Sequence, residues 1–323
     1  MITHESSLIA FEEQIQYALK EFDENKVPSK LIQNIVLCGL GGSGIGGRIA
    51  RGYFLQTSHC PIEVYSDYFL PNYINQNTLV VLSSYSGNTE ETLAMFERAH
   101  QANCQIIGIC SGGELATKLK EYNLPFFMVP KGYQPRMALG FSLALNLLIL
   151  GKIFGSNIQQ ELKDSLEIYA NKDVLQQSAN VLFKQWSNAP QLPIHVFCDE
   201  YYSGVATRFC QQVQENAKGQ AFAFVLPEVN HNVTESIYGH LNANILFLNS
   251  GNNSRVNMRF KFLEDLLHTN GNSVTKIDIK GSDLKEILRI IYILDWASIL
   301  LSNAKSVDNM SVKNIEKLKD YLK

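Results

Sequence analysis

Short apolar runs alternate with amphipathic segments along most of this chain. In the first half, the apolar runs are short enough to predict buried strands, and helical periodicity fills the intervals between them. The predicted strands are 35–38, 62–65, 79–83, 106–110 and 126–129. The predicted helices are 45–55, 90–100 and 114–120, followed by a long apolar helix from residue 137.

The second half repeats this alternation. Its predicted strands are 194–198, 221–226, 244–248 and 274–279, and its predicted helices are 201–214, 255–268 and 284–301. A polar segment of helical pattern, 155–193, connects the halves. Alternating strands and helices predict an α/β fold in which helices cover both faces of a parallel sheet. We predict two such domains, residues 1–154 and 155–323.

Composition narrows the class of protein. The 28 basic and 31 acidic residues give a net charge of −3, whereas nucleic-acid-binding domains are usually clearly basic. The apolar stretch 137–150 is too short to span a membrane, and the first ten residues lack a signal peptide's apolar region. None of the six cysteines forms a CxxC pair, which favours buried free thiols. We therefore expect a cytoplasmic protein with no nucleic-acid or membrane partner.

The first predicted strand runs directly into a glycine-rich loop, GLGGSGIGG. The loop contains a GxGxxG pattern at Gly39, Gly41 and Gly44, and Glu63 lies about 20 residues further on, as a dinucleotide site would require. A nicotinamide cofactor is therefore one interpretation. In any interpretation, glycines let the backbone approach an anion closely, and the N–H groups at the helix start point at it.

The third predicted strand ends in a turn crowded with hydroxyl groups. Ser84, Ser86 and Thr89 lie within six residues, just before a helix. Thr89 could act as the N-cap of that helix, but capping accounts for only one hydroxyl. A dinucleotide site needs no second loop of this kind, whereas the three terminal oxygens of a phosphomonoester need many donors. The turn therefore favours a small phosphorylated ligand.

Four segments together carry a resemblance to a known family. The first, SSYSGNTEET at 83–92, resembles the phosphate loop of sugar isomerase (SIS) domains. With QPR at 134–136, QENAK at 214–218 and LPEVNHN at 226–232, the chain resembles the bifunctional phosphoglucose/phosphomannose isomerase family. The chain departs from the family pattern at Gln214, usually Asn, and at Val233, usually acidic. The resemblance implies two SIS-type, flavodoxin-like domains.

The resemblance also implies a substrate and the residues that bind it. The reaction would interconvert glucose 6-phosphate, and mannose 6-phosphate as well, with fructose 6-phosphate through a cis-enediolate, in glycolysis or gluconeogenesis. Ser298 stands at a hydroxyl position, usually Thr, that the family links to acceptance of both C2 epimers; packing between helices is its alternative role. The implied phosphate- and substrate-binding residues are Gly41, Gly42, Ser43, Ser84, Ser86, Thr89 and Ser298.

Four further residues receive catalytic roles from the resemblance. Glu215 would be the base, a role that suits a carboxylate whose burial raises its pKa, and His231 would exchange a proton with the sugar oxygens. Arg136 would stabilise the enediolate charge, and Lys305 matches a lysine of the site. Without the family, these residues would be interpreted as an exposed helix-end carboxylate, an idle loop histidine, a surface cation and a helix-terminal lysine.

The resemblance implies no metal or nucleotide cofactor, and a homodimer in which the histidine comes from the neighbouring subunit. The spacing of His231 and Glu235 would suit a metal pair, but no third ligand lies nearby in the sequence.

Three other functions stay open: an SIS enzyme for another sugar phosphate such as an amino sugar, a non-catalytic sugar-phosphate sensor, and a nicotinamide dehydrogenase. A sensor needs the hydroxyl loop but not Glu215 together with His231.

Overall fold

Two separate parallel sheets organise the chain in the computed structural model, which describes residues 2–322. The first unit consists mainly of Ile9–Ala170, with Asp283–Lys285. The second consists of Thr3–Leu8, Asn171–Ser282 and the chain from Glu286 onward. The predicted boundary after residue 154 falls inside the first unit.

All strand pairings given for the described residues are parallel, as the alternation predicted. The first sheet has the order β2-β1-β3-β4-β5, and the second has the order β7-β6-β8-β9. The strands are β1 (Asn34–Cys38), β2 (Ile62–Tyr65), β3 (Thr78–Ser84), β4 (Gln105–Cys110), β5 (Phe126–Met128), β6 (Ile194–Asp199), β7 (Ala221–Leu226), β8 (Asn244–Leu248) and β9 (Val274–Lys276). The two-sheet α/β fold is therefore confirmed.

The helices surround these sheets and include three that the sequence analysis did not predict, at 4–9, 11–21 and 313–321. The helices are α1 (His4–Ile9), α2 (Phe11–Glu21), α3 (Gly41–Phe54), α4 (Glu90–Gln101), α5 (Gly113–Glu121), α6 (Leu139–Phe154), α7 (Ile158–Ser165), α8 (Lys172–Lys184), α9 (Ser203–Asn216), α10 (Ser254–Thr269), α11 (Leu284–Ala304) and α12 (Lys313–Tyr321). Short 3₁₀ turns lie between several of them.

Three boundaries differ from the prediction for identifiable reasons. Helix α3 begins at Gly41 rather than at residue 45, because the glycines of the loop themselves form its first turn. The predicted strand 274–279 ends at Lys276. Its last pair with β8 joins Phe247 to Lys276, and β8 itself ends one residue later, so little of the partner strand remains for further pairing. The apolar helix predicted from Met137 begins at Leu139, after a 3₁₀ turn.

The cores follow from the apolar runs. All seven residues of β3 are buried, as expected for a central strand covered on both faces. Within residues 2–322, α11 is the one helix long and apolar enough to cross a membrane, but 72% of its apolar window is buried inside the protein. It is therefore built as a core helix.

The strand order fixes where a ligand can bind in each unit. In the first sheet the order 2-1-3-4-5 reverses between β1 and β3, and the second sheet reverses in the same way between β6 and β8. Ligands of open α/β sheets bind at the carboxyl ends of the strands at such a reversal. In the first unit these strand ends lead into the glycine loop and the hydroxyl-rich turn.

Candidate active site

The glycine loop brings the start of α3 into close contact with its surroundings. A Cβ on Gly39 would lie 2.7 Å from the Ser83 carbonyl oxygen, and one on Gly42 would lie 2.5 Å from the backbone of Pro135. Gly41 has φ +50°, in the left-handed region. Only glycines allow this approach, and the first N–H groups of α3 remain at the reversal point as an anion site.

The hydroxyl-rich turn is a network of its own. The Ser84 hydroxyl donates to Thr89 Oγ1 at 2.9 Å and accepts from the Gly87 N–H at 3.2 Å. Ser86 Oγ accepts from the Asn88 N–H at 3.2 Å. Thr89 occupies the N-cap position of α4, but its side chain makes no capping hydrogen bond. Its oxygen accepts from Ser84 instead, so the N-cap role does not account for this hydroxyl.

The glycine loop and the hydroxyl-rich turn are bonded to each other. The Tyr85 N–H donates to Ser43 Oγ at 2.9 Å, which joins α3 to the turn after β3. The Tyr85 hydroxyl donates to the Pro130 carbonyl at 2.8 Å and accepts from the Tyr133 N–H at 2.9 Å. Through these bonds, Tyr85 also joins the hydroxyl-rich turn to the segment that leads to Arg136.

Arg136 lies in the 3₁₀ turn Pro135–Met137, immediately before α6. Only 4% of its surface is exposed, so the interpretation as a surface cation was wrong. The same turn touches Gly42, since a Cβ there would meet the Arg136 backbone nitrogen at 2.5 Å. A guanidinium keeps its charge when buried, so the first unit holds a fixed positive charge in the turn against the start of α3.

In the second unit, Glu215 and Lys305 are brought to one corner. Glu215 is half-buried in the last turn of α9, so it is not the fully exposed helix-end carboxylate of the alternative interpretation. The Lys218 ammonium donates to the Glu215 carbonyl, and the Lys305 ammonium donates to the Lys218 carbonyl at 3.2 Å. Burial lowers the pKa of Lys305.

Ser298 is fully buried on α11, in the second unit. Its hydroxyl accepts from Asn216 Nδ2 at 2.9 Å and donates to the Asp295 carbonyl at 2.6 Å. The residue is therefore tied to the end of α9, next to Glu215. Its link to the C2 epimers stays a prediction.

His231 ends an exposed 3₁₀ turn, Glu228–His231, between β7 and β8. Glu235 is exposed in the next turn, and the part of the chain that the structure describes contains no group of three or more His, Cys, Asp and Glu side chains arranged for a metal ion. The exposed position of His231 leaves its imidazole accessible to groups outside its own unit.

The second unit has an equivalent of the hydroxyl-rich turn that the sequence analysis missed. In each unit the last ladder pair between the central strands joins a cysteine to a leucine. Asp199 follows the cysteine of its pair by one residue, as Gly39 does in the first unit. Ser250 follows the leucine of its pair by two residues, as Ser84 does. The sequence carries no motif at these two positions, because the match depends on knowing the ladder pairs.

Asp199 fills this position with its own carboxylate. One oxygen accepts from the Tyr202 N–H at 3.0 Å, and the other accepts from the Ser250 N–H at 2.9 Å and from the Ser250 hydroxyl. The donors that would hold an external anion at this reversal are thus used internally. The second unit thus differs from the first at this position, where the first has Gly39.

Comparisons with known proteins agree with both halves of this description. An SIS domain family model matches residues 32–131, and a model of the bacterial phospho-glucose isomerase C-terminal SIS domain matches residues 175–322. The bifunctional phosphoglucose/phosphomannose isomerase of Aquifex aeolicus is 33% identical over 321 residues, 95% of each chain. The chain belongs to the bifunctional phosphoglucose/phosphomannose isomerase family. The member from Caldicellulosiruptor bescii is 32% identical over 96% of each chain.

Proteins named for other activities share the fold or part of the sequence. The D-glucosamine-6-phosphate 4-epimerase of Sulfolobus acidocaldarius is 34% identical over 225 residues, 67% of this chain and 69% of that protein. The glucosamine-6-phosphate deaminase of Thermotoga maritima superposes with a TM-score of 0.73 at 16% identity, covering 95% of this chain and 96% of that one. The latter likeness shows the SIS fold.

Proposed function

We propose that this chain is an aldose–ketose isomerase that interconverts glucose 6-phosphate and mannose 6-phosphate with fructose 6-phosphate. The observation that carries the proposal is the bond between the two loops of the first unit, from the Tyr85 N–H to Ser43 Oγ. It assembles helix N–H groups and several hydroxyls at one reversal point. That donor set suits the three terminal oxygens of a phosphomonoester.

The proton transfer is assigned to the second unit. Glu215 removes the C2 proton of the open-chain aldose, the electron pair moves into a C1–C2 double bond, and the cis-enediolate forms. Return of that proton to C1, together with transfer of the O2 hydroxyl proton to O1, gives the ketose. Because C2 is planar in the enediolate, the same intermediate forms from the glucose and mannose epimers, which supports activity on both.

The remaining candidates stabilise charge or move protons on oxygen. His231 exchanges a proton with the ring oxygen during ring opening, since an imidazole can do so near neutral pH. Arg136 supplies the positive charge for the enediolate oxygens, a role that its buried position supports because its side chain reorganises little. Lys305 adds a second cation beside the end of α9.

We further propose a cytoplasmic homodimer in which His231 serves the site of the neighbouring subunit. The exposure of His231 supports this arrangement. The six cysteines are unpaired, and five of them are buried, which supports a reducing compartment.

The test is an assay of the purified protein on glucose 6-phosphate, mannose 6-phosphate and glucosamine 6-phosphate. We expect fructose 6-phosphate from the first two and exchange of the C2 proton with solvent deuterium. Epimerisation of glucosamine 6-phosphate without turnover of glucose or mannose 6-phosphate would favour the activity for which the Sulfolobus acidocaldarius relative is named. Binding of a sugar phosphate without turnover would favour a sensor. A change of absorbance with added nicotinamide cofactor would favour a dehydrogenase.

A second measurement tests the phosphate loop. Thr89→Val removes one hydroxyl but keeps the shape of the side chain, so KM should rise roughly ten- to a hundredfold, because a hydrogen bond to a charged group contributes about 1.5–3 kcal/mol. Thr117→Val on the exposed face of α5 is the matched control. Equal KM values in both variants would contradict the assignment of Thr89.

A further inference from the structure

A column of buried polar side chains runs along one face of α9 in the second unit. Arg208, Gln212 and Asn216 follow one another at intervals of four residues, so they share that face. Their exposed fractions are 2%, 0% and 0%. Arg208 forms a bidentate pair with Asp295 of α11, at 2.7 and 3.2 Å.

His4 of the short helix α1 completes this column, although it lies more than 200 residues away in sequence. The imidazole is fully buried. Its Nε2 atom lies 3.2 Å from Gln212 Nε2 and 3.5 Å from Asn216 Nδ2. Both distances lie within hydrogen-bonding range, so the imidazole contacts two buried amide groups of α9.

The column ends beside the proposed base. Asn216 is the last residue of α9 and follows Glu215 directly. The last turn of a helix has unpaired carbonyl groups and tends to fray. Here the Asn216 amide is held from two sides, by His4 Nε2 and by the Ser298 hydroxyl.

We propose that His4 is a positioning residue for Glu215. Through its polar contacts with Gln212 and Asn216, its imidazole fixes the last turn of α9 and with it the backbone from which the Glu215 side chain projects. This inference rests on the proposed function and adds a residue to its site. Small displacements of a base from the reacting carbon are costly, since a shift of about 1 Å can lower turnover about a hundredfold.

The test compares His4→Leu, which removes the polar ring, with His4→Gln, which supplies an amide that can both donate and accept a hydrogen bond in its place. In His4→Leu we expect kcat to fall roughly ten- to a hundredfold. KM should stay within about twofold, because the phosphate-binding loops of the first unit are not altered. His4→Gln should recover most of the loss. Glu5→Ala, which removes the bond from Asn309 to the same helix at 3.1 Å, is the matched control and should keep the wild-type kcat.

Wild-type kcat in a folded His4→Leu variant would overturn the proposal, and so would an equal loss in Glu5→Ala, which would indicate only the docking of α1. If circular dichroism shows that His4→Leu does not fold, Gln212→Met tests the same contact from the opposite side, and wild-type kcat there has the same meaning. If the wild-type protein itself does not turn over the hexose phosphates, the proposed function fails. That result differs from failure of the His4 proposal, in which the wild-type protein and the His4→Leu variant are equally active.

Discussion

At the scale of single residues, the way α9 ends determines where Glu215 and Lys305 lie. Lys218 has φ +50°, a left-handed conformation that side chains with a Cβ rarely adopt. Its ammonium group donates to the Ser311 carbonyl at 2.7 Å and to the Glu215 carbonyl, which holds the turn. The Lys218 carbonyl then accepts from Lys305. One strained residue thus places a carboxylate and a cation in the same corner.

Glu215→Gln tests the base directly. The amide has nearly the same shape but cannot accept a carbon-bound proton, so we expect kcat to fall by about 10²–10⁴, the usual effect of removing a general base, with KM little changed. Glu121→Gln makes the same replacement at the last residue of α5 and is the control. Near-normal turnover of Glu215→Gln in a coupled isomerase assay would remove Glu215 from the mechanism.

The lowered pKa of Lys305 predicts a pH effect of defined sign. Burial disfavours the charged ammonium, so Lys305 loses its proton at a lower pH than a free lysine. If its charge assists the reaction, kcat/KM should fall on the alkaline side as that proton leaves. Arginine stays charged throughout this range, so Lys305→Arg should move the alkaline limb to higher pH. The exposed control Lys317→Arg should leave the alkaline limb unchanged. An unchanged limb in Lys305→Arg would contradict a role for the charge of Lys305.

At the scale of elements, the sequence was sufficient for most strands and not for several helices. Parallel strands covered on both faces are continuous apolar runs, which is why the runs identified β1 to β8 closely. In contrast, α12 has only nine residues, none of them buried, and α1 has only six residues. The loops of the first unit were predictable because their residues are local in sequence.

Contacts that depend on register or on distant segments were not predictable from the residues. The match of Asp199 to Gly39 becomes visible only when the ladder pairs are known. The burial of His4 against α9 likewise joins the first turn of the chain to a helix of the second unit. Neither contact produces a periodicity or a motif that a reader of the sequence could detect.

Asp199→Asn tests whether this carboxylate stabilises the second unit. The amide offers one acceptor oxygen where the carboxylate offers two, and a buried donor loses its partner, so we expect the free energy of unfolding to fall by about 1–3 kcal/mol. Asp265→Asn breaks an exposed ion pair with Lys261 and should cost at most about 1 kcal/mol. Denaturant unfolding measures both, and equal midpoints would contradict the role of Asp199.

At the scale of the whole molecule, the two units share one strand order over four strands but differ at the reversal point. The first has glycines and hydroxyl groups there, whereas the second has Asp199, which accepts from the Tyr202 and Ser250 N–H groups. The candidates for proton transfer lie in the second unit, where Glu215 is half-buried and His231 is exposed. A shared site built from two copies of this unit would explain why the two residues differ in this way.

Mixed dimers test that arrangement. If each site combines Glu215 of one chain with His231 of the other, a dimer of one Glu215→Gln chain and one His231→Ala chain has one site with both defects and one intact site. Random reassociation yields about half mixed dimers, so roughly a quarter of wild-type activity should return. If both residues act within one chain, every site stays defective and mixing yields no gain.

The control is a mixture of each variant with itself, carried through the same dissociation, with subunit exchange verified by mass-labelled chains. No gain despite verified exchange would contradict the shared site and leave the isomerase proposal intact, because Glu215 and His231 would then act within the same chain.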